Sequence, residues 1–170
     1  MKSDGEIVIV PYNSEWPQKF EKEKTVLEKV IGNYITGGIH HIGSTSIPGL
    51  SAKPIIDILI GVESLEASKA CLDILPKIQY QYYPYKEDQE HWFCKPSPAH
   101  RDYHLHLIPT DNPDFKACLA FRDYLRSHEE ARNKYQQLKT NLAEEFKNDR
   151  ETYTQAKTEF VKEIVSKALS

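Results

Sequence analysis

The chain has 170 residues, enough for one domain with a proper core, and its 22 Lys and Arg against 25 Asp and Glu leave a formal charge of −3. No basic run of the kind that binds nucleic acid or a membrane through phosphates is present, and the longest aliphatic stretch is far too short to span a bilayer. Cys71, Cys94 and Cys118 are widely spaced with no CxxC pair, which argues against a disulfide framework or a cysteine zinc site, and the opening residues 1–6 lack an apolar export segment, so a reduced cytoplasm is the expected setting.

Residues 7–10, Ile-Val-Ile-Val closed by Pro11, predict an edge strand or an extended arm. Ser14 is placed to cap a helix with Pro17 in its first turn. Trp16, Phe20, Leu27 and Val30 or Ile31 share one face of that helix, and Gly32 ends it. An apolar strand then runs to Gly43-Ser44, and a hydroxyl-rich loop leads to a second strand over 55–60, aliphatic except for Asp57. Ser64 predicts the cap of a helix that reaches about Leu75 and stops at Pro76. Residues 78–83 read as a strand, 86–90 as a polar loop, His91-Trp92-Phe93-Cys94 as the next extended run and 96–100 as a proline-rich turn. Over 101–108 a period of two puts Tyr103, Leu105 and Leu107 on one face and Asp102, His104 and His106 on the other.

From Asp111 onward the pattern is helical alone. One helix starts at Asn112-Pro113, a second at a capping box over 127–130, and a last one follows a break at Asn148-Asp149. The expected organisation is an αβ core over 1–110 and a helical part over 111–170 packed back onto it as one compact unit, since short isolated helices are marginal in water.

A carboxylate inside a short Ile/Leu strand is costly unless it is paired, hydrogen-bonded or bound to a metal, so Asp57 needs a partner. The preceding turn, Gly43, Ser44, Thr45 and Ser46, offers backbone N–H groups and hydroxyls of the kind that cradle phosphate; a capped turn with a structural Asp is the plainer alternative. His104 and His106, at i and i+2 on a strand, are able to share a metal with a carboxylate, or else form an unmetallated polar sheet face. His40 and His41 straddle their strand, so at most one points toward Asp57. Lys53 lies in the loop between the turn and Asp57, where an ammonium reaches a phosphate or simply faces water. Arg122 with Arg126, and Tyr153 with Lys157, are i,i+4 pairs able to close over an anion, although helical surfaces carry such pairs routinely.

Laid end to end, these residues resemble the GrpB family, a bacterial family. The likeness covers Val10-Pro11-Tyr12 with Trp16, the string from Gly43 to Leu50, the run from Lys53 to Ile58, His104-Leu105-His106, the segment from Phe121 to Arg126, and the helix of Tyr153 and Lys157. The resemblance implies an α/β (α+β), nucleotidyltransferase-like fold: a short mixed sheet flanked by helices, with further helices at the C-terminal end. It also implies metal-dependent transfer of a nucleotidyl group from a nucleoside triphosphate to an acceptor. Gly43, Ser44, Thr45 and Ser46 then hold phosphates, Lys53 neutralises them with Arg122 and Lys157 nearby, and Asp57 is the catalytic carboxylate. Asp57 binds a divalent ion (Mg, Mn or Zn) with His104 or His106. Some relatives joined to the kinase that completes coenzyme A synthesis point to nucleotide-linked metabolism.

One departure matters. The superfamily pattern sets a second carboxylate two positions after the first, and here that position is Leu59. The competing expectation is therefore a non-catalytic nucleotide- or anion-binding regulatory module, with a small-molecule nucleotide as the partner in either case.

Overall fold

The computed structural model describes residues 6–170; residues 1–5, most of the amino terminus expected to lack an export segment, lie outside the described residues. Five strands, β1 (Ile35–Ile42), β2 (Ile56–Val62), β3 (Gln81–Tyr83), β4 (His91–Pro96) and β5 (Arg101–Pro109), form one mixed sheet in the order β1-β2-β5-β4-β3. The central pair β2 and β5 is parallel and the other pairs are antiparallel. Around the sheet lie α1 (Trp16–Ile31), α2 (Cys71–Ile74), α3 (Pro113–Ser127), α4 (Glu129–Glu145), α5 (Arg150–Ala156) and α6 (Thr158–Leu169). None of the described helices is long and apolar enough to cross a membrane.

The two faces of the sheet are buried in different ways. On one, Ile56, Ile58, Ile60, Leu105 and Leu107 pack against Trp16, Phe20, Leu27 and Ile31 of α1, with Phe93 and Tyr80 in the same cluster. Each such buried side chain contributes about 1.5–3 kcal/mol, so this layer is the main core. On the other face Ile42, Leu59 and Ile108 meet Phe115, Cys118 and Leu119 of α3. Phe115 fits closely because β2 carries Gly61 beneath it, where a Cβ would stand 2.8 Å from the ring. The register of β2 on β5 places Asp57 beside His104 and Leu59 beside His106, all on this second face. A slip of one residue would turn Asp57 into the main core, which the hydrophobic pattern forbids.

The loop after β1 is the hinge of the architecture. Ile47 and Leu50 are fully buried against Leu125, Tyr135 and Ile164 from α3, α4 and α6. Ala52 bridges to Val10 of the amino-terminal arm, and Ser51 N–H donates to Gln136 Oε1 of α4 at 3.0 Å. The Ile-Pro-Gly-Leu string is thus an anchor for the C-terminal helices.

Several local expectations differ. Residues 7–9 form no strand; Ile7 packs with Leu142, Ala143 and Tyr153, and Val10 makes one isolated bridge, so the segment is an arm. Asn13, not Ser14, meets the start of α1, accepting from Glu15 N–H at 2.8 Å. Ser64 does accept from Ala67 N–H at 2.9 Å, but residues 65–70 are turns and regular helix is confined to α2. Pro76 does not stop the chain there, because it sits inside a 3₁₀ turn over Leu75–Ile78, which shortens the predicted strand to β3. The box over 127–130 is not formed: Ser127 Oγ bonds back to the carbonyls of Asp123 and Tyr124 within α3. The last predicted helix is two, α5 and α6, with Lys157 at the junction and Asp149 capping α5 through Thr152 N–H.

Candidate functional site

β2 and β5 bring Asp57, His104 and His106 together. Asp57 Oδ1 lies 3.1 Å from His104 Nδ1 and 3.8 Å from His106 Nε2, while His106 Nδ1 lies 3.0 Å from Glu90 Oε1. Burial opposes the charge on Asp57, yet its contacts with His104 and His106 hold the carboxyl well below the usual carboxylate range. An ionised carboxylate only accepts, so His104 Nδ1 carries the proton. Burial lowers the His104 pKa, its Nε2 is buried, and that atom has no hydrogen-bond partner among the described residues. For His106 burial also disfavours charge, but the contacts to Asp57 and Glu90 win and push the imidazolium up to about 9. Trp92, opposite His106 on β4, stands with its ring centroid 5.0 Å from that of His104 and 6.3 Å from that of His106. The Arg101 guanidinium lies over the same indole, 5.5 Å from its centroid.

Gly43 turns the chain at φ 74°, a conformation that L side chains rarely adopt. Its hydroxyl neighbours are largely committed. Thr45 Oγ1 lies 2.9 Å from His41 Nε2, and Ser46 Oγ donates to Gly43 O. His41 is on the opposite face, stacked on Phe20 with centroids 4.9 Å apart, and burial lowers its pKa to about 4. His40 bonds the Gly37 carbonyl at 2.7 Å. Ser44 is half-buried, and its hydroxyl has no hydrogen-bond partner among the described residues. Arg122 and Arg126 brace the backbone: Arg122 donates to His41 O at 3.3 Å and Arg126 to Ser46 O at 2.9 Å. Asp102 shares the strand face but is exposed and pairs with His100 at 3.3 Å.

Cations gather beside this group. Lys53 is half-buried with its Nζ 5.1 Å from the centroid of the Tyr153 ring, and Lys157 Nζ stands 4.4 Å from the same centroid. Burial, then the charges of Lys157 and Arg150, lower the Lys53 pKa to about 7 against a smaller opposing pull from Asp57. Lys139, 2 % exposed, donates to Ser51 O and lies 5.0 Å from the Tyr135 ring centroid. Burial, Lys157 and Lys53 bring its pKa to about 7 as well. Among the described residues Lys53, Lys139 and Lys157 form no ion pair.

Sequence reasoning found Lys53 and Lys157 but missed Lys139, Glu90 and Trp92. Lys139 left a signal, since it lies four residues after Tyr135 and three before Leu142, on the apolar stripe of α4. Glu90 left none, because a charged residue in a polar loop looks solvated until the fold carries it to His106. The expected metal set is less simple than two histidines and a carboxylate. Asp57 Oδ1 is engaged by both imidazoles and His106 by Glu90, and no group of three or more His, Cys, Asp or Glu among the described residues is arranged to hold a metal ion. Asp57, His106 and Glu90 engage one another and His104 Nδ1, and His104 Nε2 is the one ring nitrogen of the two site histidines left outside these contacts. Two open surface hollows, one beside Lys24, Gly38 and His40 and one beside Leu138, Phe160 and Glu163, lie away from Asp57.

Comparison with known proteins agrees with the fold. The family described as "GrpB protein" matches residues 6–167. The glutamate-rich protein GrpB of Alkalihalophilus pseudofirmus is 36% identical over 167 residues, covering 95% of each chain. A crystal structure of the conserved protein GrpB from Enterococcus faecalis superposes with a TM-score of 0.86 at 32% identity, covering 95% of this chain and 97% of that one. A dephospho-CoA kinase of Mycolicibacterium paratuberculosis is 24% identical over 185 residues, 94% of this chain but 45% of the kinase. The profile match, the end-to-end identity and the shared fold lead to one conclusion: the chain belongs to the GrpB family.

Proposed function

We propose that the protein is a binding module for a phosphate-bearing small molecule, a nucleotide or related anion, rather than a metal-dependent transferase. The observation that carries this is Lys53. It is half-buried, forms no ion pair among the described residues, and is acted on by the cations Lys157, Arg150 and Arg101. Among the described residues the one carboxylate acting on it, Asp57, already receives His104 and His106. Desolvated ammonium groups without counter-ions cost free energy that a bound anion returns. The Gly43-Ser44 turn, with its uncommitted Ser44 hydroxyl and Gly43 packed on Asp57, supplies neutral donors at the edge of the same group.

The position of Leu59 weighs against nucleotidyl transfer, which uses two ions held by shared carboxylates. Leu59 is fully buried against α3 and unable to ligate. In this reading Asp57 and His104 set the electrostatics beside Lys53. Ligands that bind only the native state raise its melting temperature, so thermal-shift measurements with nucleotides and inorganic phosphate, each with and without divalent ions, are the test. Stabilisation by anions with a chelator present is the expected result. Stabilisation that appears only with a divalent ion and disappears in Asp57→Asn would return the protein to the metal-dependent transferases.

A further inference from the structure

Resting on the anion-binding reading, we propose that the ligand is a polyphosphate, a compound with at least one phosphoanhydride, and that lysines from the loop and the C-terminal helices supply the counter-charge usually brought by a metal ion. Three ammonium groups on three separate elements are laid out around this region. Lys53 comes from the loop before β2, Lys139 from α4 and Lys157 from the junction of α5 and α6. Two of them converge on the ring of the fully buried Tyr153, whose hydroxyl has no hydrogen-bond partner among the described residues. A buried phenol normally finds a partner, so an orphaned one among cations marks a place for an acceptor.

Lys139 is the more telling of the three. It is almost fully buried, and the contacts that hold it, the Ser51 carbonyl and the Tyr135 ring, are neutral. Those contacts orient an ammonium group without cancelling its charge. One phosphate group carries at most two negative charges near neutral pH, whereas three ammonium groups together with the neutral donors of the turn match a longer anion. The ring contacts soften the cost of grouping like charges but leave the net positive field in place.

Protonation provides a second readout. The groups that act on Lys53 are Lys157, Arg150, Asp57 and Arg101, and those on Lys139 are Lys157 and Lys53. A polyanion seated among them favours the charged lysines, so binding at pH 8 takes up protons.

Titration calorimetry on the full chain, with a chelator present, decides the matter. The titrants are inorganic phosphate, pyrophosphate, triphosphate and adenosine triphosphate, each at pH 8 in two buffers of different ionisation enthalpy. Pyrophosphate or triphosphate should bind at least tenfold more tightly than phosphate, with net proton uptake. Adenosine triphosphate tighter than inorganic triphosphate identifies a nucleotide as the source; equal affinity identifies the inorganic chain. Lys157→Gln, at a half-buried helix junction, should weaken polyphosphate at least tenfold, and Lys139→Gln should do the same, with circular dichroism used to select the variant that keeps the wild-type fold. Phosphate binding as tightly as pyrophosphate, or polyphosphate binding unchanged in Lys157→Gln, overturns the polyphosphate assignment and leaves the anion module standing. Absence of binding by every anion overturns both.

Discussion

Gly43 and Asp57 are packed so closely that a Cβ on the glycine would lie 2.4 Å from Asp57 Oδ2. The turn and the carboxylate therefore form one unit. Gly43→Ala meets that contact and the left-handed backbone at once. We expect a loss of about 1–3 kcal/mol in stability, measured by denaturant unfolding, together with a shifted His104 resonance as Asp57 is displaced. An unchanged melting curve and an unchanged imidazole would show that the turn relaxes freely.

Asp57→Asn keeps shape and removes charge. His106 should then titrate well below its present value of about 9, with Glu90 retaining part of the shift. The sign of the stability effect follows. A raised histidine pKa contributes stability that is full below about 6.5 and is lost as pH rises through about 9, so the variant should lose most of that contribution at acid and neutral pH. Proton NMR titration of the His106 ring, beside melts across the same range, checks both.

The two lysines act in the opposite direction. Lys53 and Lys139 fall to about 7 in the folded chain from the ordinary lysine value of 10.5, so the unfolded chain binds more protons between those values. Their contribution to stability therefore rises with pH from about 7 to about 10.5. Lys139→Met removes one of the groups, and the slope of its unfolding free energy against pH over that interval should be less positive than that of the wild type. Identical slopes in anion-free buffer would contradict a desolvated Lys139.

Restoring the second carboxylate should fail. Leu59 is packed with Ile42, Ile108, Phe115, Cys118 and Leu119, so Leu59→Asp places an unpaired charge in a closed apolar layer. The expected cost is about 3–5 kcal/mol, while Leu59→Met stays under about 1.5 kcal/mol. Thermal unfolding of both variants separates the outcomes; an Asp variant as stable as the Met one would mean that this layer admits water or an ion.

The β5 alternation was legible because it rests on local period-two patterning, and it put Asp102, His104 and His106 on one face; the register that sets Asp57 beside His104 is made only when β2 pairs with β5. Lys53 was legible for a similar reason, being close in sequence to both the turn and Asp57. Glu90 and Lys139 were not, since their roles depend on contacts to His106 and Ser51 made across the folded chain. The hydroxyls of Thr45 and Ser46 were read as ligand donors, yet they serve His41 and the Gly43 carbonyl, a choice fixed by turn geometry that composition does not reveal. The helix starts went astray where two capping side chains competed, as at Asn13 and Ser14.

The anchoring of Ile47, Leu50 and Ser51 by α3, α4 and α6 has a consequence for how the protein is divisible. A chain cut after α3 would keep every strand, Asp57 and both site histidines, and would still lose Lys139, Tyr153 and Lys157 while freeing the loop that carries Lys53. The loop before β2 is thus held from both sides, by the sheet it feeds and by the C-terminal helices that grip it.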